Sequence, residues 1–162
     1  MRPYAASVGR SACRLAAIEI EDFIRHCQEG LSHQVNGDSE PFLECWSHAD
    51  DVAILGAVGS HARGWNEVRT HLLGASRSLH WTTLQVEDIS THVGEWLAVW
   101  VGLEHMSRGV DGEASTRTLR TTQAYRLEDG RWRLILRHAN TVTADDEERE
   151  RALLGDRLES KP

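Results

Sequence analysis

Between residues 19 and 36 apolar side chains recur at three- and four-residue steps, so that Ile20, Phe23, Ile24, Cys27, Leu31 and Val35 fall on one stripe. That spacing predicts a helix with a single buried face, and Gly37 is placed to end it. Asp38 or Ser39 can cap a second, short helix that tolerates Pro41 in its first turn and points Phe42, Leu43 and Trp46 inward. Residues 52–55 read as a short buried strand. The glycines at 56, 59 and 64 mark residues 56–64 as a turn segment. A third helix opens near Trp65, with Trp65, Val68, Leu72 and Ala75 on one face.

Beyond Ser78 the period changes. Strand-like segments cover residues 81–93, 96–107, 114–127 and 131–140, punctuated by Gly94-Glu95, Asp111-Gly112 and Asp129-Gly130 as hairpin turns. This predicts a four-stranded antiparallel meander. Helices first and consecutive hairpins afterwards make an α+β domain, with helices packed on one face of a bent antiparallel sheet, and exclude alternating parallel architectures. Residues 142–162 are densely charged. Thr143 and Asp146 have capping-box spacing there, so a short surface helix or a frayed tail is expected.

Composition narrows the function classes. The 162 residues, 40% hydrophobic and 27% charged, suit one domain. A net charge of −7 argues against a nucleic-acid partner, because neutralising phosphates needs clustered Lys and Arg. No apolar run reaches the roughly 18–20 residues of a membrane span. Residues 1–18 hold three Arg and no acid without the apolar stretch of a secretory signal, and read as an extension outside the domain. Cys13, Cys27 and Cys45 lack CxxC spacing, which points to a reducing, cytoplasmic setting without a disulfide framework or thiolate zinc site. Nine histidines occur without an HExxH pattern, so neither a metal nor a cofactor is expected.

Asn36-Gly37-Asp38, Phe42-Leu43, Trp46, Ala49-Asp50-Asp51-Val52, Gly59-Ser60 and Arg63-Gly64 follow one another in an order similar to the front half of SnoaL-like proteins and ketosteroid isomerases. The run from Tyr125 through Asp129-Gly130-Arg131-Trp132 to His138-Ala139-Asn140 resembles the final hairpin of the same nuclear-transport-factor-2-like (NTF2-like) superfamily. The resemblance covers residues 19–141. It implies a cone-shaped, cystatin-like fold, with three N-terminal helices on a strongly bent antiparallel sheet. It also implies a small-molecule pocket between the first helix and the concave face, and a homodimer through the outer sheet face. It does not imply one chemistry, because a shared fold hosts many.

The isomerase residues can be checked one at a time. Matching the motifs puts Gly56 at the position of the carboxylate base, Gly30 near that of the tyrosine and Gln123 at that of the acid. Glycine cannot take a proton, and an amide is no tunable acid. Epoxide hydrolysis on this fold would need an Asp-Arg-Asp cluster, and no second inward carboxylate completes one on this reading.

Strand alternation then divides the side chains into rows. By resemblance the row Leu97, Val99, Val101, Leu103 and His105 faces the cavity and leaves Trp100 outside, where an aromatic ring suits a dimer contact. Leu119, Thr121, Gln123 and Tyr125 share the inward row of the next strand; Trp132, Leu134, Leu136, His138 and Asn140 share that of the last. A bulge would exchange these rows. The expected pocket is lined by Trp46, Leu72, Val99, Val101, Leu103, His105, Gln123, Tyr125, Leu136 and Asn140. His138, the ionisable group in an apolar inward row, is either an acid–base catalyst or a neutral histidine hydrogen-bonded to Gln123 or a backbone carbonyl. Arg117, Arg120 and Arg126 read as outer-face charges. The expected function is binding of a small organic ligand; the alternative is a cofactor-independent isomerase, cyclase or dehydratase that uses His138.

Overall fold

In a computed structural model, which describes residues 5–110 and 113–159, the apolar stripe lies on helix α1 (Ala5–Val35), which begins earlier than its amphipathic pattern does. Ile20, Ile24, Cys27, Leu31 and Val35 are buried beneath it. Gly37, at φ 103°, ends the helix in a Schellman motif: the Asp38 amide donates to the His33 carbonyl and the Gly37 amide to that of Gln34. Helix α2 (Glu40–Leu43) crosses α1 at Gly30. A Cβ on Gly30 would lie 2.8 Å from the Pro41 carbonyl oxygen and 3.0 Å from the Phe42 Cα. The residue matched near the isomerase tyrosine is thus a glycine for a packing reason.

Strands β1 (Ala53–Leu55) and β2 (His61–Arg63) form a small antiparallel hairpin, so the segment expected to be a simple turn carries a strand. Helix α3 (Trp65–Ser78) follows, burying Val68, Leu72 and Ser76. The meander then runs β3 (Thr83–Val93), β4 (Leu97–Val110), β5 (Glu113–Glu128) and β6 (Arg131–Val142), each antiparallel to the one before it. Asp129 (φ 49°) and Gly130 (φ 77°) both take positive φ, as a two-residue I′ turn requires. The expected Asp111-Gly112 turn lies outside the described residues, although Val110 does pair with Glu113. Helix α4 (Ala144–Glu159) opens on the anticipated capping interaction, with the Asp146 carboxylate accepting from the Thr143 amide at 3.0 Å.

The sheet order is β2-β1-β6-β5-β4-β3. It is not wholly antiparallel, as expected from the hairpins, because β1 runs parallel to β6 with Ala53 opposite Leu136. Trp46 extends that parallel edge by bridging to Leu134.

Two row assignments are reversed. On β4 the buried residues are Ala98, Trp100, Glu104 and Met106, while Val99, Val101 and Leu103 are half-buried on the opposite face. Cross-strand partners share a face, and Trp100 pairs with Gln123, which is buried. On β6 the first part follows expectation, with Trp132 and Leu134 buried. Tyr125 then pairs with Leu134 and Ala124 with Leu136, which leaves Ile135 as an extra residue. This bulge changes the parity of everything after it. Arg137 and Ala139 turn inward, and His138 and Asn140 are exposed on the outer face.

Candidate functional site

Between α1, α3 and the concave sheet face lies a cavity of about 100 Å³. Leu31, Val35, Leu72, Met106 and Leu119 supply apolar walls, and Gln34, His71, Glu104, Arg117 and Arg137 supply its polar groups. Glu104 is held there by the inward row of β4 and Arg137 by the parity change at Ile135. Neither strand alone would bring the two together; the β4-β5-β6 register does.

The Arg137 guanidinium donates to both Glu104 carboxylate oxygens, each at 2.6 Å, with Glu104 1% and Arg137 6% exposed. Such fork-to-fork pairing is the strongest geometry available to a buried ion pair. Burial alone would pull the guanidinium pKa down; the facing carboxylate more than offsets this, by charge and by hydrogen bonding, and leaves Arg137 above its ordinary value. With both oxygens of Glu104 engaged, the carboxylate is committed to its partner. The Gln34 amide donates to the Leu72 carbonyl at 2.8 Å, while its Oε1 is buried without a partner. An unsatisfied buried acceptor is costly and calls for a donor in the cavity. Gly56, at the isomerase base position, lies on the same wall; a Cβ there would meet the Ser60 hydroxyl.

Of the residues expected to line the pocket, Leu72 does so. Gln123 and Tyr125 sit buried on the concave face, where the Tyr125 hydroxyl donates to the Gln123 Oε1 and the Phe23 ring packs edge-on at 5.9 Å. Trp46 is buried in the core but borders a different hollow. Val99, Val101, Leu103, His105, Leu136 and Asn140 belong to the opposite face, as does His138, which is exposed there and borders an open hollow of about 420 Å³ with Val101, Leu103 and Asn140, away from the α1 cavity. His105 pairs there with the Thr118 hydroxyl at 3.1 Å and with Glu87 at 3.4 Å. Arg117, expected outside, faces inward, whereas Arg126 pairs with the exposed Asp51 at 2.7 Å. Glu104, Arg137, Gln34 and His71 were not singled out by sequence reasoning. Gln34 had a signal in its place on the α1 turn flanked by Leu31 and Val35; the others depended on register.

The hollow beside Trp46 is larger, about 1030 Å³, and open to solvent. Its walls include the His48–Trp65 stack, with centroids 4.1 Å apart, and Glu128, already engaged by Ser47 and Arg126. The smaller cavity is the more enclosed of the two: its deep wall is made of the buried Leu31, Gln34, Leu72, Glu104 and Arg137, and its mouth of half-buried His71, Leu79 and Arg117. Among the described residues no His, Cys, Asp and Glu cluster is placed to hold a metal ion, and no helix is long and apolar enough to cross a membrane.

Burial has a second consequence around the cavity. It raises the Cys27 thiol well above its ordinary pKa, aided by the neighbouring Cys45 thiol, and raises the Tyr125 phenol likewise. In the unfolded chain these groups ionise near pH 8.5 and 10, so above those values the unfolded state loses protons that the folded state keeps. Stability is therefore intact below about pH 8.5 and falls as pH climbs through the unfolded values, by up to about 1.4 kcal/mol per group for each pH unit. Urea titrations at neutral and alkaline pH should show this decline, and Cys27→Ala should delay its onset. A flat profile to pH 11 would contradict it.

The family described as SnoaL-like domain matches residues 27–143. Comparison with curated proteins gives no match. Among solved structures, an NTF2-like protein with a cystatin-like fold from Novosphingobium aromaticivorans superposes with a TM-score of 0.64 at 18% identity, covering 91% of this chain and 97% of the other. The association domain of C. elegans CaMKII gives 0.61 at 17% identity, covering 78% and 98%. A candidate dehydratase of the NTF2-like family from Streptomyces avermitilis gives 0.65 at 17% identity, covering 82% and 99%. At these identities the likeness establishes the cystatin-like, NTF2-like fold.

Proposed function

Because the chain belongs to the SnoaL-like domain family, we propose that it is a binding domain that holds a small organic molecule between α1 and the concave sheet and pairs with a second copy through the outer sheet face. The observation that carries the binding reading is the enclosed cavity with its unsatisfied Gln34 Oε1. An empty interior would be expected to be apolar throughout; a buried acceptor aimed at no protein donor fits a ligand or solvent partner. Binding is favoured over the His138-dependent isomerase, cyclase or dehydratase because His138 is exposed on the face away from the cavity. The buried free thiols Cys27 and Cys45 suit a reducing, cytoplasmic setting.

The pairing reading rests on the outer face, where Ile89 is 59% and Leu97 47% exposed beside half-buried Val99, Val101 and Leu103. An apolar strip of this kind marks an interaction surface. Assembly through this fold is named in the C. elegans association domain.

Thermal-shift screening against small organic compounds should find ligands that raise the melting temperature, and Leu72→Trp, which fills the cavity, should abolish the shift while the far-UV spectrum stays unchanged. Retention of every shift in Leu72→Trp would remove the cavity from consideration. In sedimentation experiments the wild-type chain should be dimeric and Val101→Asp monomeric.

A further inference from the structure

The two ends of the concave face differ in charge balance. Deep in the cavity Arg137 is neutralised by Glu104. Nearer solvent the inward rows of β4 and β5 continue to Arg108 and Arg117, which are diagonal neighbours because Arg117 pairs with Met106. Both guanidiniums rest on one ring, that of Trp81, with their carbons 5.1 and 5.4 Å from its centroid. Trp81 itself is buried and fixed by its amide, which donates to the Val35 carbonyl at the end of α1. Among the described residues neither arginine has a carboxylate within ion-pair distance. The Arg108 Nε is buried without an acceptor.

An aromatic face attracts cations and orients them, but it does not cancel their charge. Two guanidiniums gathered on one ring, without a counter-ion among the residues whose side chains are described, in a chain of net charge −7, form a prepared anion seat. Its position is equally informative: Arg117 and Leu79 are half-buried members of the cavity lining, so the seat stands where the cavity meets solvent. Behind it lie Leu31, Leu72, Met106 and Leu119, which favour an apolar body, while the Gln34 Oε1 is left to a water beside that body. The cavity, about 100 Å³, is smaller than the about 150 Å³ hollow that accepts benzene, which limits that body to a few carbons.

Resting on the binding reading above, we infer that the ligand is a small organic carboxylate with a short aliphatic body, its charged end gripped by Arg117 and Arg108 and its chain directed into the cavity. A planar carboxylate matches the arginine fork, and a lysine in the same place would supply charge without the two-pronged geometry.

Isothermal titration of the full-length protein with propionate and pentanoate, their primary amides, and inorganic phosphate tests this. Pentanoate should bind saturably, more tightly than propionate and more weakly at high salt. Arg117→Gln should weaken it by about tenfold or more, with Arg117→Lys intermediate and both variants melting close to the wild type. Equal binding of carboxylates and amides, or an affinity unmoved by Arg117→Gln, would overturn the carboxylate assignment while leaving the cavity as a binding site. Phosphate that binds as well as pentanoate, with no effect of chain length, would overturn it too. If no carboxylate, no amide and no member of the thermal-shift collection binds, this inference and the binding reading both fail.

Discussion

Replacing Arg137 by methionine is expected to cost about 3–5 kcal/mol of stability, a large share of the roughly 5–15 kcal/mol that holds a domain together. The reason lies in what remains. Glu104 would stay 1% exposed with its charge uncompensated in an apolar surround. The favourable attraction within the pair is not what sets the size of the effect; the stranded carboxylate is. The companion variant Glu104→Leu with Arg137→Met should therefore recover most of the loss, since removing both partners leaves no orphaned charge. Urea denaturation of the wild type, the single and the double variant measures all three. A single variant as stable as the wild type would mean that Glu104 escapes to solvent, and that the cavity floor is not built as described.

Trp100→Ala should be comparably damaging, at about 3–5 kcal/mol. Trp100 is 1% exposed, and its ring lies over Gly102, where a side chain would collide both with that ring and with the β3 backbone at Glu87. Its Nε1 donates to the Asp88 carboxylate at 2.6 Å. Trp100→Phe keeps most of the volume and should cost less, because Asp88 is exposed and can turn to water. This pair of variants discriminates sharply between the two faces of β4. Were Trp100 on the outer face, its loss would weaken self-association and leave the melting of the monomer almost untouched.

That contrast shows what was legible in the chain and what was not. The α1 stripe, the Gly37 stop and the Asp129-Gly130 turn are local features, each decided within a few residues, and each was readable. The inward placement of Trp100 was also available, though indirectly. A two-residue loop at Asp111-Gly112 puts Val110 opposite Glu113, and counting back along both strands pairs Trp100 with Gln123. An inward Gln123 therefore obliges Trp100 to face inward, and the family-based row contradicted the turn. The bulge at Ile135 is different. Leu134, Ile135 and Leu136 are all apolar, so either parity satisfies the local pattern and nothing in the segment announces the extra residue.

The ion pair was hidden for a related reason. Charged residues in strands are assigned to the solvent side by default, and Glu104 and Arg137, 33 positions apart, become partners only through two successive registers. The parallel contact of β1 with β6 likewise lacks a turn to betray it. In each case the missing information is long-range alignment, not chemistry.

The seating of α1 on α2 at Gly30 bears on how anything reaches the interior. With backbone set against backbone there, a swing of the long helix away from Pro41 would give up this close packing. On the proposed binding role, admission would therefore fall to the half-buried Leu79, His71 and Arg117 at the mouth. Guests would come and go by the turning of a few rotamers, on a timescale set by side chains and not by hinges.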